Sequence, residues 1–433
     1  MRIKNSRRFS EYKKNASEAL RLLKHDFIKY LLIAICIDWF AFSVVSPIKS
    51  IYINSFGIDF FHIGILYAVS IVFNILLDTP FGTLSDQIRR KKMITVSLIA
   101  KSVLYFLFTT ASDFNSFIVI FILSGITEAA FMVSMWSYMT DALRKIKGNY
   151  TIISIIWTIP GIIGYYIGGF LGEIDNRFSF YLASLILLFA IFSSVKIPHM
   201  NKKEGTLKDR LEEMFKGAYA DEIKSFVKSK RNVKIASFID FIINYDGYIY
   251  YTFIPLYLNS IFGLSEFWVG VFFSVMDLVF VSVRAFENVI FTKLRKRRTI
   301  IVSAFGAGLI YLCLPFITSI ELFITVIVTA SVLIWMIFPL SYHIFIRSLP
   351  RRKRGEIIGV NHAISDSGGV AGELIGGLVA DSFGIPYAYA TTGLLYISAS
   401  VASAFMNKTS KKGFIKEMRE RKRAIKKGKP YIP

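Results

Sequence analysis

The sequence predicts an all-α polytopic membrane protein, with twelve transmembrane helices in two pseudo-symmetric six-helix bundles. Three observations predict it. Twelve apolar stretches have membrane-spanning length, basic residues mark alternate connections, and a tandem repeat relates the two halves of the chain.

Of 433 residues, 54% are hydrophobic, and the mean hydropathy is +0.51, more apolar than a soluble domain of this length sustains. A hydrocarbon layer of ~30 Å at 1.5 Å per residue asks for about 20 apolar residues per helix. The stretches are 29–53, 61–84, 93–111, 116–141, 151–172, 178–197, 234–261, 267–291, 299–318, 321–347, 356–380 and 385–406. None alternates with period two, which argues against a membrane barrel. The first is too long for a signal-peptide core, follows a polar tail and lacks a small-residue cleavage site, so it reads as a span. The expected organisation is a basic cytoplasmic tail (1–28), a first bundle (29–197), a cytoplasmic linker (198–233) with an amphipathic helix near Leu207 to Lys230, a second bundle (234–406) and a basic cytoplasmic tail (407–433).

The net charge is +22, and its placement matters more than its size. With both termini inside, 48 of the 52 Lys and Arg fall in the tails, the linker and alternate loops. That is the positive-inside pattern, and it sets both count and orientation. The same charge attracts anionic lipid at the cytoplasmic face, so nucleic acid is not needed to account for it. The four bases elsewhere are Lys49, Lys101, Arg177 and Arg284. Cys36 and Cys313 both fall inside spans, which points away from a disulfide framework.

The repeat is explicit. Gly161, Gly164, Gly168 and Gly169 in segment 5 match Gly369, Gly372, Gly376 and Gly377 in segment 11 at an offset of 208 residues. The same offset joins Asp38 to Asp246 and Pro47 to Pro255. At an offset of 206, Phe56, Gly57 and Gly64 meet Phe262, Gly263 and Gly270, and the bases 89–92 meet 295–298. Small residues three and four apart also let helices approach closely, which makes the eight glycines packing residues.

Between segments 2 and 3 lies DTPFGTLSDQIRRKK (78–92). Its Gly82, Leu84 and Asp86, followed by a basic cluster containing Arg90, resemble the loop between helices 2 and 3 of the major facilitator superfamily. PGIIGYYIGGFLGE in segment 5 partly resembles the glycine-rich helix-5 motif of facilitator antiporters, with Tyr165 where that motif has proline. RRKRGEIIGVNHAISDSGGVAGELIGGLVADSFG (351–384) resembles loop 10–11 and helix 11 of the superfamily. The resemblance spans nearly the whole chain. It implies a parallel-repeat fold with the substrate site between the halves near mid-membrane. It also implies a gate in which Asp78, Gly82, Asp86 and Arg90 clasp the halves, an acid at a helix terminus being favoured by the dipole. Gln87 and Arg89 depart from the family pattern. Without a gate, the loop is a positive-inside anchor.

Ionisable residues inside spans cost about 2.5–3.5 kcal/mol each on insertion scales, so they face a cavity or a partner. Candidates for substrate or proton binding are Asp38, Glu128, Asp246, Tyr248, Asp366 and Glu373. For Asp246 the alternative is a structural carboxylate bonded to a neighbouring helix; for Glu128 it is a satisfied group in close packing. Asp277, Arg284 and Glu287 share a face in segment 8 and are expected to form an internal ion pair. In segment 11, Asp366 and Glu373 replace Thr158 and Tyr165 of the first half, which draws attention to them as the carriers of coupling.

No phosphate-cradling loop, metal spacing or catalytic constellation is present in the sequence, so neither an enzyme nor an ATP-driven pump is expected, and no metal or cofactor. The expectation is a monomeric multi-pass protein of the plasma membrane. It moves a small-molecule substrate by alternating access, with a proton gradient as energy source. The acid before Pro80 looks most like efflux-type members, hence export of small organic, cationic compounds. The alternatives are a proton symporter importing a nutrient and a non-transporting receptor or scaffold on the same fold.

Overall fold

The computed structural model describes residues 24–87, 90–146, 150–198, 218–285, 294–350 and 354–407. Most of the two tails and of the linker lies outside the described residues, as do Arg89, Glu287 and the 286–293 segment.

Among the described residues, twelve long helices and one short helix follow the order of the apolar stretches. The first half comprises α1 (Asp26–Asn54), α2 (Phe60–Gln87), α3 (Arg90–Phe108), α4 (Phe114–Ile146), α5 (Tyr150–Ile174) and α6 (Asn176–Val195). The short α7 (Ala218–Val227) precedes α8 (Arg231–Leu256), α9 (Glu266–Ala285), α10 (Lys296–Cys313), α11 (Ile320–Ser348), α12 (Arg354–Phe383) and α13 (Ile385–Ala404). Seven of the twelve satisfy a strict length-and-hydropathy test for crossing a membrane.

Local chemistry sets the ends. Asp175 alone separates α5 from α6, and its carboxylate accepts from the Arg177 amide at 2.8 Å, capping α6. Gly384 alone separates α12 from α13; its φ of 102° is open to glycine, and Pro386 follows in the first turn of α13. Pro255 near the end of α8 precedes a π-helical turn over Tyr257–Ile261.

The repeat becomes three-dimensional. Gly57 and Gly263, 206 residues apart, end the first helix of each half with φ of 77° and 66°. The halves meet along two equivalent seams, α2 against α12 and α9 against α5. On one, Gly64 lies against the Glu373 carbonyl and the Gly377 Cα. On the other, Gly270 lies against the Tyr165 carbonyl and the Gly169 Cα. Any Cβ at Gly64 or Gly270 would collide with those backbones. The absence of side chains here is what lets the halves close. These approaches lie toward the end of the molecule that carries the 55–59 and 262–265 turns. Toward the opposite end, Gly82 has Val133 of its own half as its neighbour among the described residues.

Large apolar side chains cover the outer surface, among them Leu76, Val96, Phe189, Phe192 and Phe316, as lipid-facing positions require.

Candidate functional site

Lys101, in the middle of α3, organises the polar interior of the first half. Its Nζ donates to Asp38 Oδ1 at 3.0 Å and Oδ2 at 3.1 Å, and lies 2.8 Å from Glu128 Oε2. The ammonium also sits 4.0 Å from the Phe131 ring centroid. Asp38 and Lys101 are 13% exposed by side chain and Glu128 37%, so the network has a buried end and an open end. Asp38 on α1, Lys101 on α3 and Glu128 on α4 thus form one unit.

Asp246 occupies the repeat-related place in the second half and does something different. It is 6% exposed, and Tyr396 on α13 donates to its Oδ2 at 3.0 Å, with Tyr311 on α10 packed beside Tyr396. Its surroundings belong to the outer helices of its own half rather than to the seam. The Tyr396 bond is a contact of the kind that the alternative reading of Asp246, a carboxylate bonded to a neighbouring helix, describes. Asp240, one further turn and a half toward the start of α8, is likewise interior, accepting from Asn361 Nδ2 at 3.0 Å.

Glu373 is fully buried at a seam. Thr252 Oγ1 donates to its Oε1 at 2.5 Å, while Oε2 has no hydrogen-bond partner. Lys49 of the other half acts on it electrostatically and is itself enclosed by rings, 4.2 Å from the Phe121 centroid and 4.8 Å from that of Tyr67. Tyr248 lies against Gly369 and within electrostatic reach of Asp78, Glu128, Asp366 and Glu373, so these side chains border one region between the halves. Asp366 lies within electrostatic reach of Asp78.

At the gating loop, Arg90 pairs with Asp141 Oδ2 at 2.6 Å and donates to the Ser137 carbonyl at 3.2 Å, both on α4 of the same half. Its repeat mate Lys296 stands 2.8 Å from His343 Nε2 on α11. Asp86 belongs to the last turn of α2, and its side chain lies outside the described groups. The expected ion pair of Asp277, Arg284 and Glu287 falls partly outside the described residues, because Glu287 does. Asp277 Oδ2 has no hydrogen-bond partner, and the Arg284 guanidinium lies over the Phe280 ring at 5.1 Å. Asp277 instead turns toward Gly161 of α5.

In the turns at the closed end, two carboxylates are held below the usual range. Partial burial works against the Asp59 charge, but the amide and ring of His62, 2.7 Å away, outweigh it. Asp113 is held down by the Ser116 hydroxyl first, then by the Ser116 and Asn115 amides.

Lys101, Lys49, Asp141 and Thr252 are not among the residues that the sequence singles out as actors. Lys101 and Lys49 carry a signal in it all the same: they are bases outside the positive-inside pattern. Among the described residues no group of three His, Cys, Asp or Glu could hold a metal ion.

Comparison with known proteins agrees with the architecture. The family model described as Major Facilitator Superfamily matches residues 31–373. The quinolone resistance protein NorA of Staphylococcus aureus (strain MRSA252) is 28% identical over 166 residues, 38% of this chain, and the match spans 42% of NorA's length. The multidrug resistance protein 2 of Bacillus subtilis (strain 168) is 24% identical over 337 residues, covering 74% of this chain and 80% of that protein. Among solved structures, the nucleoside transporter NupG superposes with a TM-score of 0.66 at 12% identity, covering 88% of this chain and 98% of that one. A bacterial homologue of the human lysosomal transporter Spinster, inward-facing and occupied, gives 0.65 at 15% identity, covering 86% and 94%. At such identities the superpositions bear on the fold alone.

Proposed function

We propose, for a chain that belongs to the Major Facilitator Superfamily and is therefore a membrane transporter and not an enzyme, that it exports small organic, cationic compounds from the cell in exchange for protons. The observation that carries this reading is the concentration of acids along the region between the halves: Glu128, Asp78, Asp366 and Glu373 all act on Tyr248. Carboxylates in such a place can exchange a proton for a positively charged guest, because each neutralises the same negative charge. Relatives named for quinolone and multidrug resistance support export as the direction of transport.

In this mechanism the halves rock about the seams. With the termini cytoplasmic, as the basic tails indicate, the closed seams lie on the outer side, and the conformation is open to the cytoplasm. Substrate enters, the halves close on the inner side and part at Gly64–Glu373 and Gly270–Tyr165, and protons from outside displace the substrate. The basic clusters 89–92 and 295–298 engage anionic lipid at the cytoplasmic face, and a monomer contains every element of the cycle. The Arg90–Asp141 pair then holds the loop after α2 to α4 through the motion, and Asp86 acts in the inner clasp.

The test is transport in proteoliposomes under an imposed pH gradient, with ethidium as the probe. Export coupled to protons predicts that dye moves against inflowing protons. Dye accumulating together with protons would identify a symporter instead, and absence of flux for a panel of dyes and nutrients would leave only the receptor reading.

A further inference from the structure

We infer that Asp240, Asn244, Asn361 and Ser365 form a binding site for a sodium ion between α8 and α12, inside the second half. The site does not depend on the reading of the chain as a proton-coupled exporter, because the acids that support that reading border the space between the halves.

Asp240 and Asn244 are four residues apart on α8, and Asn361 and Ser365 are four apart on α12, so each helix offers two oxygen-bearing side chains on one face. The two faces meet. Asn361 Nδ2 donates to Asp240 Oδ2 at 3.0 Å, and Asn244 Nδ2 donates to Ser365 Oγ at 2.5 Å and to the Asp240 carbonyl at 3.2 Å. The Ser365 hydroxyl donates to the same carbonyl at 3.3 Å. Asp240 is 3% exposed, Asn361 4% and Ser365 8%. Glycines press the two helices together just beyond: a Cβ on Gly368 would collide with the Phe241 carbonyl, and one on Gly372 with the Tyr245 carbonyl.

Several buried acids keep one oxygen without a hydrogen bond, Asp78, Asp246, Asp277 and Glu373 among them. Asp240 is set apart by its partner. Its Oδ1 lacks a hydrogen bond, and so does Oδ1 of Asn361, the side chain bonded to it. No charged side chain among the described residues acts on Asp240. Turning the Asn361 amide over only moves the deficit, since its oxygen would then face the carboxylate. Neighbouring buried acceptors with one negative charge and no donor left over are short of a positive charge.

Carboxylate, carboxamide and hydroxyl oxygens suit a hard cation. A single carboxylate is balanced by a monovalent ion, whereas a divalent one would leave an uncompensated charge inside the bilayer. The close packing of α8 on α12 favours sodium over the larger potassium. Tyr248, about two turns along α8 from Asp240, and Asp366, next to Ser365, both border the region between the halves. An ion that ties α8 to α12 therefore braces one wall of that region.

The experiment uses the full-length protein in nanodiscs. Binding of radioactive sodium is measured at fixed ionic strength made up with choline, and the melting transition is followed in sodium, potassium and choline chlorides at one pH. The wild type is expected to bind a single sodium per chain and to melt higher in sodium than in either other salt. Asp240→Asn is expected to abolish both effects, and Asn361→Leu, which keeps the acid, to weaken sodium binding about tenfold or more. Asp246→Asn, which removes the other buried acid of α8, is expected to leave sodium affinity within about twofold of wild type. Equal melting in sodium and choline, with a transition that moves only with pH, would show that Asp240 holds a proton and would overturn the assignment. Sodium bound as tightly by a folded Asp240→Asn protein, or lost as fully from a folded Asp246→Asn protein, would overturn it too. A wild type that binds sodium at this site yet moves no organic cation sinks the export reading and leaves the sodium site standing.

Discussion

Lys101 binds both oxygens of Asp38, at 3.0 and 3.1 Å, from the middle of α3. The same ammonium then reaches Glu128 at 2.8 Å. One positive charge therefore serves two negative ones, and the network keeps a net negative charge that a proton or a cation can cancel. Removing the lysine would leave the buried Asp38 carboxylate without its cation and beside a second acid, Glu128. Lys101→Met is expected to cost about 3–5 kcal/mol, as losing one member of a buried pair does. A lowered melting transition in detergent would register it. The double variant Lys101→Met with Asp38→Asn should recover part of the loss, and a melting point that stays low in the double variant would count against charge as the cause.

Glu373 combines complete burial with an unpartnered carboxylate oxygen. Glu373→Gln keeps the acceptor for the Thr252 hydroxyl and removes the ability to release a proton. The fold should persist with an unchanged melting transition. Substrate movement down its own gradient should continue, while movement driven by an imposed pH gradient should fall about tenfold or more. Parallel flux measurements in proteoliposomes separate the two, and equal loss of both would show that Glu373 serves the fold or the path rather than coupling.

Gly64 and Gly270 are equivalent points on the two seams, so equivalent changes should have equivalent effects. Gly64→Leu and Gly270→Leu each place a side chain against the partner backbone and should hold the seams apart. A single cysteine introduced at the 55–59 turn should become more reactive to a membrane-impermeant maleimide in both variants. Labelling that remains at the wild-type level would show that the seam tolerates the added volume.

The pairing of Arg90 with Asp141 redistributes the expected work of the gating loop. Asp141→Asn should disturb the loop less than Arg90→Ala does, because the arginine change also removes the bond to the Ser137 carbonyl, and maleimide labelling of the loop reads the difference. Asp86→Asn should alter the inward–outward balance, read by the same maleimide labelling. If labelling and transport are both unchanged by Asp86→Asn, the clasp is not part of the cycle and the loop is an anchor.

The fold could be read from the sequence because the features that encode it are one-dimensional. Hydropathy gives the helices, lysines and arginines give the sides, and the 208-residue spacing of Asp38 and Asp246 gives the repeat. The site resisted such reading because it depends on which way each helix is turned. Asp38 and Asp246 sit at matched places, yet one meets Lys101 and the other Tyr396. Composition could not distinguish them, since the decisive partners come from α3 and α13. Spacing along α9 puts Asp277 on the face of Arg284, and only the packing of α9 on α5 shows that its carboxylate meets Gly161. Asp246→Asn follows from this as an expected outcome: stability falls by about 1–3 kcal/mol through the weakened tyrosine contact, and substrate preference in flux assays is unchanged.

Equivalent places on the two seams hold Glu373 and Tyr165, and their backbones make the same approach to a glycine of the other half. Duplication thus produced two joints of one design, and later divergence gave them unlike temperaments. One has an acid at its centre, a group able to carry or shed a charge. The other has a phenol, which carries no charge at neutral pH. If the first is the joint that decides when the molecule opens, the second is the one on which it turns, and a transporter of this build needs only half of its symmetry to be chemically awake.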